Sequence, residues 1–339
     1  MHHAVKYQAC ISPAKGPNDT APCDNRGMSA SREPRNLLEA IRYFSDDQVA
    51  FDFVVKLRWP TGEPTCPRCG CLDNYYLSTR RIWKCSGCKR QFSVRVGTIF
   101  EDSPLPFSVW LPAFWLLANS KNGISSHELG RALGITQKSA WFVLNRIRLA
   151  MQTGSFEKMT GEVEVDETFV GGLAKFMHKA QRAKLTGTGP IDKTIVVGAL
   201  ERTTEDKASR VHAEVTPDRT APTLHAVIVA NVEPGSAVYT DAHVGYNHLS
   251  DRNYAHAVID HAIAYVDGRV HTEGIESFWN LVKRSLKGTY THVAPEHLGR
   301  YLDERCFTFN EREVSDAERM RSAVAGIAGK RLTYAELTA

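Results

Sequence analysis

The sequence predicts a mixed α/β domain preceded by two smaller modules, one organised by cysteines and one all-helical. Three observations predict it. Two C-x-x-C pairs stand at Cys66/Cys69 and Cys85/Cys88. Apolar residues recur at helical spacing between residues 105 and 152. Between residues 161 and 310, short strand-like runs take turns with helical patterns, as in a sheet flanked by helices.

The chain has 339 residues, enough for roughly two or three domains. Residues 1–34 are rich in Pro, Gly, Ser and Asn without periodicity, and are expected to be a disordered leader. Residues 35–58 read as N-terminal helices, with Ser45-Asp46-Asp47 as a cap between them. The cysteine-rich module is assigned to 59–102, the helical module to 103–155, the α/β domain to 160–312 and a polar, partly helical tail to 313–339. The basic, Gly-rich stretch Ala174–Lys193 reads as a loop. Neither a secretory h-region near Met1 nor a membrane-length apolar run is visible, so the expected compartment is the cytoplasm. Thiols stay reduced there, and eight cysteines need a use other than disulfides.

Between Cys69 and Cys85 lie fifteen residues, a zinc-ribbon spacing. Thiolates are soft ligands, and four of them close a tetrahedral structural zinc site with no open position for catalysis. The competing reading is a redox pair or isolated buried cysteines, which two matched pairs disfavour. Cys71 is a rival ligand that breaks the paired geometry, and Cys10, Cys23 and Cys306 have no partner at ligand spacing. The net charge is only +4, yet Arg80–Arg95 holds six basic residues and no acid, a surface suited to phosphates, with a merely solvated face as the alternative.

Further on, Ser125 and Glu128 fit a capping box, Gly134 fits a helix C-terminus and Thr136 caps the next helix. Ala140, Val143, Leu144, Ile147 and Met151 share one face. Helix, Leu-Gly-Ile-Thr turn, helix is the outline of a DNA-reading helix-turn-helix. Its exposed side is expected to carry Gln137, Lys138, Asn145, Arg146 and Arg148. Part of an ordinary helical bundle is the plainer alternative.

Three acidic elements follow. Glu162-Val163-Glu164-Val165-Asp166 alternates acid and Val, so a strand here turns Glu162, Glu164 and Asp166 to one face and the valines to a core. A wet edge strand is the alternative. Asp241 ends the apolar run Ala237-Val238-Tyr239-Thr240, where a turn cap is also expected. Thr272 to Arg284 reads as a helix with Ile275, Phe278, Trp279 and Val282 inward. Glu276 and Lys283 are seven apart and so share a face. Two strand-borne Asp and a helix-borne Glu form an oxygen-rich set suited to two Mg2+ or Mn2+ ions and to phosphodiester chemistry.

These segments resemble bacterial insertion-sequence transposases of the zinc-ribbon, ISXO-type group with an acidic (DDE) triad. The resemblance rests on Arg58-Trp59-Pro60, the Cys quartet, Gly97-Thr98-Ile99-Phe100, Val165-Asp166-Glu167, Gly171-Gly172 and Tyr239-Thr240-Asp241. It continues through Thr272-Glu273-Gly274-Ile275-Glu276-Ser277-Phe278-Trp279, Lys283-Arg284 and Gly288-Thr289-Tyr290. It implies an RNase H-like catalytic domain, Mg2+-dependent strand cleavage and transfer, recognition of terminal inverted repeats and target DNA, and a homo-oligomer that synapses two element ends in the nucleoid. By position Asp166 and Asp241 are the first two carboxylates. Glu276 is favoured as the third for its spacing to Lys283, a phosphate contact, and Glu273 is its rival. A DNA-binding regulator without chemistry and a stand-alone nuclease are the other function classes.

Overall fold

The computed structural model describes residues 33–152, 157–171, 193–259 and 268–339. Most of the expected leader, and all of the Gly-rich loop except Lys193, lie outside the described residues.

Two short helices open the described chain: α1 (Leu37–Phe44), capped by Asn36, and α2 (Asp47–Arg58), capped by Asp46. The cysteine module is a three-stranded antiparallel sheet of β1 (Asn74–Leu77), β2 (Ile82–Cys85) and β3 (Gln91–Phe92). Helix α3 (Phe107–Asn119) is almost wholly apolar and buried. It is followed by α4 (Ser126–Leu133) and α5 (Gln137–Met151). The capping box at Ser125/Glu128, the left-handed Gly134 (φ +66°) and the Thr136 cap all form.

The face of α5 departs from expectation. Gln137 and Lys138 are exposed, but Asn145, Arg146 and Arg148 are buried. Asn145 donates to Trp141 O, and Arg146 donates to the carbonyls of Ile99, Glu101 and Leu332. Arg148 pairs with the equally buried Glu304 at 2.7 Å, its guanidinium 3.8 Å from the Tyr301 ring centre. Arg146 and Arg148 reach partners far away in sequence, so α5 is covered on two sides rather than one.

The α/β domain holds β4 (Glu162–Val170), β5 (Thr194–Glu201), β6 (Arg210–Thr216), β7 (Ala237–Asp241) and β8 (Ala255–Ile259). Among the described residues they form one sheet in the order β6-β5-β4-β7-β8. Strands β4, β5 and β6 pair antiparallel, whereas β7 pairs parallel with both β4 and β8. Helix α6 (Ala221–Asn231) packs on one face, sharing a core with Val163, Val165 and Val197. Helices α7 (Glu273–Gly288) and α8 (Pro295–Asn310) cover the other, with Ile275, Phe278, Trp279 and Leu302 against Val196, Leu200 and Val211. The alternation of β4 therefore holds, valines to α6 and acids toward α7. The wet edge strand does not, since β4 is the central strand and Glu164 is only 1% exposed.

After α8 the chain returns to the helical module. Helix α9 (Asp316–Ala325) packs on α3 and α5, and Met320, Ala323, Val324 and Ile327 join their core. The short α10 (Tyr334–Thr338) lays Tyr334 against Phe142 of α5. The segment expected as a tail is thus part of that core. Among the described residues no helix is long and apolar enough to cross a membrane.

Candidate active site and metal centres

The four cysteines of the ribbon converge. Cys66 and Cys69 flank a turn closed by Gly70 N–H to Cys66 O, and Cys85 and Cys88 flank the turn between β2 and β3. Sγ atoms of Cys66 and Cys88 lie 3.8 Å apart, and those of Cys69 and Cys85 lie 3.6 Å apart. A tetrahedron with Zn–S of about 2.3 Å has S–S edges of roughly 3.8 Å, so the quartet fits zinc closely. The Cys88 N–H donates to the Cys85 sulfur and is the largest of the effects that pull that thiol down to about 6. Cys71 stands outside the quartet, its thiol pointing to Asp73 O.

An aromatic cluster backs the ribbon: Trp59 meets Trp83 edge-on at 4.9 Å, and Phe51 stacks on Trp83 at 6.1 Å. Arg58 donates to the carbonyls of Val94 and Val96, which ties α2 to the segment after β3. In the basic run Arg80, Arg81, Lys89 and Arg90 are exposed. Arg95 instead spends its guanidinium on the Ser103 and Leu105 carbonyls. A cleft of about 270 Å³ beside Arg80, Arg81 and Arg95 is lined by α2, the ribbon and the start of α3, with no residue of the sheet that carries the acids.

The second centre lies at the C-terminal end of β7. The parallel register pairs Glu164 with Tyr239. Two residues further along, the same register brings Asp166 beside Asp241 on one face. Oxygens of Asp166, Glu167 and Asp241 all lie within 4.8 Å of one another. Asp166 accepts from Trp279 Nε1 of α7 at 3.0 Å, and Asp241 accepts from its own turn at His243 N. Glu167 accepts from Tyr246 at 2.7 Å and faces Arg219 at 3.4 Å.

The three acids in a row on β4 meet different fates. Glu162 is bound by Arg269, and Glu164 by Arg202 and the Ile275 N–H. Among the described residues no Lys or Arg pairs with Asp166 or Asp241. Burial first, then the Glu167 and Asp241 charges, push the Asp166 carboxyl up to about 7. Arg219 compensates Glu167 alone, and convergent carboxylates that repel one another, as Asp166 and Asp241 do here, are the donor set a hard divalent cation relieves.

Sequence reasoning missed Glu167, because strict alternation sends it to the opposite face of Asp166. Its place comes from β4 running on to Val170 beyond the described β4–β7 pairing, which stops at Glu164. Glu276 and Glu273 stand outside the 4.8 Å group. Glu276 is half-buried in the first turn of α7, and its carboxylate accepts from Thr272 Oγ1 at 3.1 Å. Glu273 is exposed. At about 100° per residue, Glu276 lies roughly 60° from Trp279 around α7 and Glu273 roughly 120°. Since Trp279 touches Asp166, Glu276 is the nearer of the two to the acid group. Lys283, half-buried, lies roughly 40° from Trp279 on that same side.

Residues 158–310 match the ISXO2-like transposase domain, and residues 45–91 match the transposase zinc-ribbon domain. The chain is 24% identical over 274 residues to an uncharacterized protein in the transposable element ISH50 of Halobacterium salinarum, spanning 77% of this chain and 90% of that protein. It is 32% identical over 105 residues to an uncharacterized transposase-like protein of Haemophilus influenzae, spanning 31% of this chain and 85% of the relative.

Proposed function

Because the chain belongs to the ISXO2-like transposases, we propose that it is a DDE-type enzyme that binds the terminal inverted repeats of an insertion sequence and cuts and joins DNA strands. The observation that carries this reading is the meeting of Asp166 and Asp241 on adjacent parallel strands, with α7 laid across them. The sheet, three antiparallel strands followed by two parallel ones, is read as RNase H-like.

Asp166 and Asp241 would hold Mg2+ or Mn2+, with Glu167 beside them, Glu276 entering from α7 as the third carboxylate and Glu273 as its rival. When bound, two such ions activate an attacking oxygen and stabilise the leaving one. Trp279 fixes the Asp166 rotamer. Lys283, two turns beyond Glu276, would hold a DNA phosphate. The zinc-loaded ribbon offers Arg80, Arg81, Lys89 and Arg90 to the backbone of the repeat. Helices α4 and α5 act as a helix-turn-helix whose exposed tip, Gln137 and Lys138, reaches the groove. Two element ends in one synaptic complex call for a homo-oligomer, working on DNA in the cytoplasm.

The test is a strand-transfer assay with zinc-loaded protein, labelled repeat DNA, a target and Mg2+. Cleavage and joining are expected, and Asp241→Asn should reduce both to background. Specific repeat binding with no cleavage in Mg2+ or Mn2+ would make the chain a regulator. Hydrolysis without joining would make it a nuclease.

A second expectation separates reading residues from structural ones on α5. Lys138→Ala should weaken repeat binding and lower the salt slope by about 1, with only a small fall in melting temperature from losing its cation–π contact with Tyr334. Arg148→Ala should cost about 3–5 kcal/mol of stability, because it removes one of the two guanidiniums that hold the buried Glu304 and leaves only Arg305 and Tyr290 on that carboxylate. Urea titrations and binding isotherms across salt concentrations read out both.

A further inference from the structure

We propose that Arg202 is a positioning residue that ties together the three elements bearing the site carboxylates and thereby sets the affinity of the divalent-cation site. This rests on the reading of Asp166, Asp241 and Glu276 as cation ligands.

Arg202 lies one residue past β5, and its side chain is 13% exposed. Its Nε donates to Glu164 at 2.7 Å, two residues before Asp166 on β4. Its Nη1 and Nη2 donate to the carbonyls of Arg269 at 2.6 Å and His271 at 2.8 Å, just ahead of α7. Its guanidinium sits 4.5 Å from the ring centre of Tyr239, two residues before Asp241 on β7. One planar cation thus addresses β4, β7 and the lead-in to the helix of Glu276. Lysine, a point charge with a single nitrogen, cannot reproduce that fork.

Glu164 completes the clamp. Its second oxygen accepts the Ile275 N–H of the first turn of α7 at 2.9 Å. A buried carboxylate at a helix N-terminus is favoured by the free N–H groups there. The approach is close enough that a Cβ on Gly274 would meet that oxygen at 2.9 Å. A matching allowance occurs at Gly198, where a Cβ would fall 2.6 Å from Trp279, the residue that holds Asp166. The helix is therefore seated by two backbone–side-chain fits that leave no room to slide. Groups that orient metal ligands without touching the metal typically change its affinity by 10–100-fold when removed.

The experiment is a Mn2+ titration followed by electron paramagnetic resonance on DNA-free, zinc-loaded protein. The samples are wild type, Arg202→Gln, Arg202→Lys and Gly274→Ala, with Asp241→Asn as the binding-deficient reference. Melting curves in EDTA are run alongside. Arg202→Gln and Gly274→Ala should bind Mn2+ at least roughly tenfold more weakly. Arg202→Lys should fall between them and wild type, and the binding of repeat DNA in EDTA should not move. If Arg202→Gln does not fold, Arg202→Lys and Gly274→Ala decide. Wild-type affinity in the folded variants overturns the clamp. Failure of the wild type itself to bind Mn2+ beyond the Asp241→Asn level overturns the cation site instead.

Discussion

Asp166→Asn is expected to abolish strand cleavage and, in metal-free protein at pH 8, to raise the melting temperature. The carboxyl of Asp166 is pushed from its ordinary 3.8 up to about 7, first by burial and then by Glu167 and Asp241. The folded protein therefore holds this proton more tightly than the unfolded chain does. As pH rises from about 4 to 7 the group withdraws stability, about 1.4 kcal/mol for each unit by which its pKa is raised. Above 7 the loss is complete. Asparagine removes the charge while its oxygen still accepts from Trp279 Nε1. The variant should melt several degrees above wild type at pH 8 and about level with it at pH 4. Mg2+ should raise the wild-type melting temperature at pH 8 and leave the variant nearly unmoved. Calorimetry in EDTA at the two pH values checks this, and a variant that melts below wild type at pH 8 would contradict the account from burial and like charge.

The second large effect belongs to the ribbon. Cys85→Ser should strip the protein of stoichiometric zinc, loosen the sheet β1-β2-β3 and abolish repeat binding, while Cys71→Ser keeps the zinc. The ion is expected to contribute on the order of 10 kcal/mol to a module of this size. Its apolar support is mostly the cluster of Trp59, Trp83, Phe51 and Phe92, and Cys85 itself is fully buried at the end of β2. Metal analysis by mass spectrometry and tryptophan emission report the two losses separately. Retained zinc in Cys85→Ser, or lost zinc in Cys71→Ser, would show the wrong quartet.

Much of the α/β domain was legible because its periods are clean. The helix read up to Arg284 appears as Glu273–Gly288, and the alternating run from Glu162 to Asp166 appears as the start of β4. Strand β8 escaped notice, since Ala255-His256-Ala257 offers a strand little bulk, and what holds it is pairing with β7. The site was half legible. Asp166 and Asp241 announce themselves by ending or interrupting apolar runs. Glu167 does not, because its position depends on where one strand outlasts its neighbour. Arg146 and Arg148 looked like a DNA-facing row because charge on a helix normally seeks water. Their partners, Leu332 O and Glu304, lie 186 and 156 residues away, a distance no local pattern conveys. Arg202 looked like nothing at all, for the same reason.

The return of α9 to α3 and α5 makes the α/β domain an insertion within the helical module. The order of synthesis then matters. Helices α3 to α5 emerge from the ribosome early, with a cleft lacking Met320, Ala323 and Val324. The α/β domain emerges next, and can close its sheet on its own strands. Only when the chain has been extended past residue 325 is the helical core sealed. Nascent chains arrested around Asn310 would carry a closed α/β domain, with Asp166 and Asp241 in place, attached to an open, adhesive helical module. Translation thus orders assembly so that the helical module is completed after the α/β domain inserted in it.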